Sequence, residues 1–128
     1  MHISKGLDET SLKALVDGFY AEARSDALLG PVFNRAISDW PAHQESLAAF
    51  WSSVMLSSGR YKGQPVPAHM RHQSEITPEM FARWLTLWEA CATRSLPPEA
   101  GRAVVAKAHR IAESLQMVLF HPLPAPRH

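Results

Sequence analysis

Apolar residues recur at three- and four-residue steps through four long segments of this 128-residue chain, and that spacing restricts it to packed helices. Nowhere do apolar and polar residues alternate as a half-buried strand requires, so the expected fold class is all-α, with four principal helices and one long loop. The first helix follows Asp8, a good N-cap, and carries Leu12, Leu15, Val16, Phe19, Tyr20 and Ala23 on one face. Gly30-Pro31 interrupts the pattern, and Val32, Phe33 and Ile37 suggest a short helical turn beneath the next helix. Asp39 caps the second long helix, Pro41 is tolerated in its first turn, and His43, Leu47, Phe50, Trp51, Val54 and Met55 share its inner face. Gly59 is placed to end it.

From Arg60 to Ile76 the periodicity fails, and Gly63, Pro65 and Pro67 argue for a semi-rigid loop with room for one helical turn. Thr77-Pro78-Glu79 starts a third long helix, with Phe81, Trp84, Leu85, Trp88 and Ala92 on one side. The fourth begins near Pro98-Glu99 and runs through Val104, Ala108, Ile111, Leu115 and Val118 or Leu119. Residues 1–121 are expected to form one domain, and residues 122–128, with Pro122, Pro124 and Pro126, a disordered tail.

Charge and composition narrow the function. Thirteen basic and twelve acidic residues give a net charge of +1, and no basic block exists to track phosphates, so nucleic acid is a poor candidate partner. The longest stretch free of charged side chains, between Glu45 and Arg60, is too short to span a bilayer. No export signal is legible, and the single cysteine, Cys91, suits a reducing compartment, so the expected location is the cytoplasm. Seven His and four Trp are the compositional oddity.

The informative residues are polar groups on inward faces. Tyr20, His43 and Trp84 lie on three different helices, each within an apolar stripe, so their tips are able to converge on one pocket. His69 is a fourth candidate, presented from the proline-stiffened loop. Taken singly, Tyr20 and Trp84 are more often core aromatics and the two histidines more often solvated. Trp51 and Trp88 read as packing. No P-loop, H-E-x-x-H, C-x-x-C or G-x-S-x-G motif is present, and Cys91 has no neighbours that suggest a nucleophile. The His69-x-x-His72 pair is a weak zinc signal, with no Cys or third His near it in sequence. A loop histidine facing an apolar pocket, with Tyr, Trp and a second His as donors, suits a heme-bound diatomic ligand: one imidazole on the iron, donors for the charge that builds on dioxygen.

At these residues the chain resembles the truncated hemoglobins, specifically their third group. The resemblance runs from Leu12 to about Leu119 and rests on several motifs in register: Phe19-Tyr20, Leu29-Gly30-Pro31-Val32-Phe33, Trp40-Pro41-Ala42-His43, Phe50-Trp51, Tyr61-Lys62-Gly63-Gln64-Pro65, His69 and Phe81-Ala82-Arg83-Trp84-Leu85. The glycine pairs that mark the other truncated groups are missing, which agrees with the third.

The resemblance implies a two-over-two helical sandwich around heme b. His69 matches the proximal iron ligand, with His72 standing three residues on as an alternative. Tyr20, His43 and Trp84 match the distal ligand-binding residues, and Phe33, Leu47, Tyr61 and Trp84 are expected against the heme. Arg60, Lys62, Arg71 and His72 are candidate propionate partners by charge alone. The implied ligands are dioxygen, nitric oxide, carbon monoxide and cyanide. Two roles fit: a redox enzyme, as a nitric oxide dioxygenase or with peroxidase-like activity fed by an external reductase, or a module for oxygen buffering, sensing or transport. The rival reading is a heme-free helical interaction or sensor module.

Overall fold

The computed structural model describes residues 6–120; the expected proline-rich tail at 122–128 lies outside the described residues. Six helices follow one another: α1 Glu9–Ala23, α2 Gly30–Ala36, α3 Trp40–Leu56, α4 Pro65–Met70, α5 Pro78–Ser95 and α6 Pro98–Phe120. Among the described residues there is no strand. Helix α1 packs on α3, α5 packs on α6, and α1 lies against α5, so the four long helices form two pairs joined across one interface.

The starts of the helices are set by the expected caps. Asp8 accepts from the Ser11 N–H, and Ser11 answers with its own hydroxyl on the Asp8 N–H, a reciprocal cap. Asp39 accepts from Ala42 and Thr77 from Met80, each with a proline in the first turn of the helix that follows. Helix α3 ends two residues earlier than Gly59 suggests: Ser57 is its left-handed C-cap, with φ 57°, and Gly59 follows at φ 70°. The stretch from Arg60 to Ile76 contains a complete short helix, α4, which starts at Pro65 itself. Pro65 and Pro67 both fall in its first turn, where a missing N–H removes no intrahelical bond.

Two stacked indoles hold the helix pairs together. Trp51 of α3 lies on Trp88 of α5 with ring centroids 4.5 Å apart, and Trp88 stacks in turn on Trp84 at 5.9 Å. The buried Trp88 indole N–H donates to the Val104 carbonyl of α6 at 3.2 Å. Small residues at Ala100, Val104, Ala108 and Ala112 let α6 approach α5 closely, and all are buried. A second apolar cluster, Phe81, Ala112, Leu115 and Leu119, lies apart from the main one, with Trp84, Leu85 and Ile111 touching both.

The segment carrying α4 is tied down at each end. Before it, the fully buried Ser52 hydroxyl donates to Glu9 at 2.5 Å and meets Ser58 at 2.7 Å, Arg60 pairs with Glu9, and the Tyr61 N–H donates to Ser53 at 2.8 Å. After it, Arg35 of α2 pairs with Glu75 at 2.8 Å, and the Gln73 amide donates to the Leu119 carbonyl at 2.7 Å.

Asp26 fixes the corner between α1 and α2. The backbone N–H groups of Leu28 and Leu29 donate to its carboxylate at 3.1 and 3.0 Å, and Arg83 of α5 donates at 2.7 Å. In the same corner a Cβ on Gly30 would stand 2.7 Å from the Arg24 carbonyl, so only glycine allows this approach. Burial by itself raises the Asp26 pKa, but the hydrogen bonds from Leu29, Arg83 and Leu28 outweigh it and hold the carboxyl below its ordinary value of 3.8. The side chain is 6% exposed, so Asp26→Asn should destabilise the fold by about 1–3 kcal/mol at pH 7. Because the folded pKa is depressed, this contribution is present above the unfolded value and lost as pH falls through the folded one. Denaturant unfolding of both proteins at pH 7 and near pH 3 should show the difference shrinking in acid; an equal difference at both pH values would contradict the assignment.

Candidate functional site

A largely apolar cavity of about 310 Å³ opens between the two apolar clusters, with walls from all six helices and from Tyr61. That size falls within the usual range for small-ligand and cofactor sites. All the side chains singled out for the pocket line it: Tyr20 from α1, Phe33 from α2, His43 and Leu47 from α3, Tyr61 from the loop, His69 from α4 and Trp84 from α5.

His69 is fixed by its own helix. Its Nδ1 lies 2.7 Å from the carbonyl oxygen of Pro65, four residues back. A carbonyl only accepts, so Nδ1 carries the proton of this bond, and in the neutral ring the lone pair is on Nε2. Pro65 also lines the cavity. His72, the alternative ligand, does not line the cavity and is turned to Glu75, with Nδ1 3.5 Å from the carboxylate. The two histidines therefore do not converge, and among the described residues no three His, Cys, Asp or Glu side chains form a metal-binding group.

Tyr20 is 5% exposed and is surrounded edge-on by aromatic rings, with Phe19, Phe33 and His43 at centroid distances of 5.0, 5.6 and 5.4 Å. Among the described residues its hydroxyl has no protein hydrogen-bond partner, and the same is true of the His43 ring nitrogens and the Trp84 indole N–H. Burial pushes the Tyr20 phenol above its ordinary pKa, so it stays protonated and able to donate. Burial, and then repulsion from His69, lowers the His43 pKa below its ordinary 6.5, which favours the neutral imidazole. The cavity thus combines an apolar lining with one oriented nitrogen acceptor and three polar tips left free by the protein.

Several walls are not distinguished by the sequence pattern. Ile76, Met80 and Phe81, with Ile111 and Leu115 of α6, complete the cavity, yet their helical spacing is the same whether they face a core or a pocket. Phe50 and Trp51 line it as well as packing behind it. The charged candidates stay outside: Arg60 is held by Glu9, His72 by Glu75, and neither these nor Lys62 and Arg71 line the cavity.

Two helix pairs joined around an apolar cavity, with one imidazole fixed through its Nδ1, make up a small-ligand-binding protein of globin architecture. The fold superposes on the crystal structure of group III truncated hemoglobin from Campylobacter jejuni with a TM-score of 0.82 and 28% identity, covering 97% of this chain and 100% of that one. In sequence the chain is 31% identical over 121 residues to the group 3 truncated hemoglobin ctb of Campylobacter jejuni, covering 89% of this chain and 92% of that protein. No protein-family model matches. The chain belongs to the group 3 truncated hemoglobins. Its all-helical fold is that of a truncated globin, and the family's character as heme globins that bind diatomic gases follows with it. Among the described residues no helix is long and apolar enough to cross a membrane.

Cys91 takes no part in the cavity. It is buried in α5, its thiol donates to the Glu22 carboxylate at 3.2 Å, and Arg94 pairs with Glu22 beside it. Burial and the Glu22 carboxylate push the thiol up to about 11. At pH 8 the folded protein should therefore react with Ellman's reagent on the order of 100-fold more slowly than the denatured chain, from the lower thiolate fraction alone. Equal rates before and after denaturation would show that the thiol is neither buried nor raised.

Proposed function

We propose that this chain binds heme b in the cavity, with His69 as the residue that would hold the iron and Tyr20, His43 and Trp84 as the groups that would meet a diatomic ligand. The observation that carries this reading is the pairing of a nitrogen acceptor, fixed by the Pro65 carbonyl, with polar tips that have no protein partner in an otherwise apolar cavity. The residues fit the cofactor: a planar macrocycle needs apolar walls, and Phe33, Leu47, Phe50, Phe81 and Leu115 supply them. Bound there and held by His69, heme would supply an iron able to bind dioxygen, nitric oxide, carbon monoxide or cyanide.

The chain's own groups do the rest. The bond from His69 Nδ1–H to the Pro65 carbonyl sets the tautomer of the neutral ring and orients it. Phe33 would pack against the cofactor, and Leu47 and Tyr61 close the cavity from α3 and the loop beyond it. Tyr20, held protonated, and Trp84 offer an O–H and an N–H to the ligand, while the neutral His43 is able to donate or accept. The role proposed is redox detoxification of nitric oxide or peroxide, or the handling of oxygen, in the cytoplasm. The sequence carries no flavin or nicotinamide motif, so turnover needs electrons from an external reductase. Sustained nitric oxide consumption under oxygen with a supplied reductase marks the enzyme; a single stoichiometric turnover marks the oxygen-handling module.

His69→Gly should abolish the ferrous axial-imidazole spectrum, and added imidazole should restore it, whereas His72→Gly should leave the spectrum close to that of the wild type. The reverse pattern would reassign the ligand. Tyr20→Phe and Trp84→Phe should each speed oxygen dissociation roughly 10- to 150-fold, as expected for losing a hydrogen bond to a group that carries charge, with much less effect on carbon monoxide, which stays nearly neutral. Because both donors serve one ligand, the double variant should be non-additive. Unchanged oxygen dissociation in both single variants would make these residues ordinary core aromatics.

A further inference from the structure

The fourth tryptophan, Trp40, is not part of the cavity lining, yet it touches three residues that are. As the first residue of α3 it stands one turn before His43, and its ring lies 6.0 Å from the His43 ring at an interplanar angle of 88°. It lies 5.5 Å from the Tyr20 ring and 6.3 Å from Phe33. Trp40 therefore backs the Tyr20–His43 wall from the side away from the cavity.

On Trp40 rests the side chain of Arg24, the residue that ends α1. Its guanidinium carbon lies 4.4 Å from the ring centroid, within the range of a cation–π contact. Among the described residues this guanidinium has no carboxylate or hydrogen-bond partner, although Arg35, Arg60, Arg83 and Arg94 are all paired with acids. The Arg24 main chain is anchored as well: its carbonyl accepts from Asn34 at 3.3 Å and abuts Gly30. An exposed cation on a fixed stem thus sits on an indole that also meets Tyr20, His43 and Phe33 of the pocket wall.

We propose that Arg24 and Trp40 form a positioning pair: the guanidinium holds the indole against the wall, and the indole's edge contacts keep Tyr20 and His43 turned into the cavity. The inference deepens the heme reading and rests on it for one of its two readouts. A distal imidazole that is free to turn gives more than one arrangement of polar groups around a ligand, so loosening the pair should raise the population of a second arrangement. The strength of an exposed cation–π contact sets that rise at about 2- to 5-fold for loss of the cation alone. Losing the indole should have a larger effect, because it removes the contacts to Tyr20 and His43 together.

The test uses Arg24→Met, which keeps the aliphatic stem, with Trp40→Leu and the conservative Trp40→Phe. Each full-length protein is reduced under carbon monoxide, and two signals are recorded: the infrared C–O stretching bands, which report polar arrangements near the ligand, and the His43 ring proton resonances, which report ring-current shifts from Trp40 and Tyr20. The expected result is a minor C–O band that grows about 2- to 5-fold in Arg24→Met and further in Trp40→Leu, with partial return in Trp40→Phe. The His43 resonances should move toward solvent-exposed positions in the same order. Wild-type bands and resonances in Arg24→Met and Trp40→Leu, even with lowered melting temperature, would reduce the pair to surface packing and overturn the proposal. If Trp40→Leu does not fold, Arg24→Met decides alone by the same criterion. Absence of any C–O band in the wild type would count against the heme reading, while the His43 resonances of the same samples would still test the pair.

Discussion

The hydrogen bond from His69 Nδ1–H to the carbonyl of Pro65, 2.7 Å long, is the contact on which the account of this protein depends. It lies within a six-residue helix, too short to be stable alone, so the surroundings must hold that helix in shape. They do so from both ends. The buried Ser52 with Glu9, and Tyr61 on Ser53, fasten the chain before α4, and Arg35 with Glu75, and Gln73 with Leu119, fasten it afterwards. The long helices thus serve the short one: α1 and α3 hold its approach, α2 and α6 its exit.

The cavity that His69 faces explains the division of the core. A protein of this length usually gathers its apolar side chains into one contiguous cluster with minor satellites. Here the Trp51–Trp88–Trp84 stack anchors one cluster, Phe81, Leu115 and Leu119 form another, and cavity walls are drawn from both. Polar atoms in such a space cost free energy unless they find partners. Among the described residues no fully buried side-chain polar atom lacks a partner, whereas the hydroxyl of Tyr20, the imidazole of His43 and the indole of Trp84 line the cavity without one, and the proposed ligand chemistry gives them a use.

Much of this arrangement was legible in the sequence, for identifiable reasons. Four long helices announced themselves because each buries a stripe of 3.6-residue period, three of them beginning at an Asp or Thr cap and α6 at Pro98-Glu99. The pocket residues were legible because Tyr20, His43 and Trp84 put polar tips into apolar stripes, a pattern that a plain core seldom needs. What the sequence hid was context-dependent. Pro65 and Pro67 signal a break unless both fall in a first turn, as they do in α4, and Ser57 caps α3 in the left-handed conformation ahead of Gly59, which is also at positive φ. Charge alone also failed to say which acids Arg60 and His72 face, since Glu9 and Glu75 are distant or unremarkable in sequence until the helices pack. The Arg24–Trp40 contact belongs to the same class: it arises where the end of α1 meets the start of α3.

The central claim, a heme cavity with a single fixed imidazole, is tested most directly by titrating the purified protein, stripped of any bound cofactor, with hemin and following the Soret band. The account predicts saturation at one hemin per chain, with a ferrous spectrum after reduction that matches ligation by one imidazole. A titration that produces no Soret band above that of free hemin would contradict it, and so would a band that forms unchanged in His69→Gly without added imidazole.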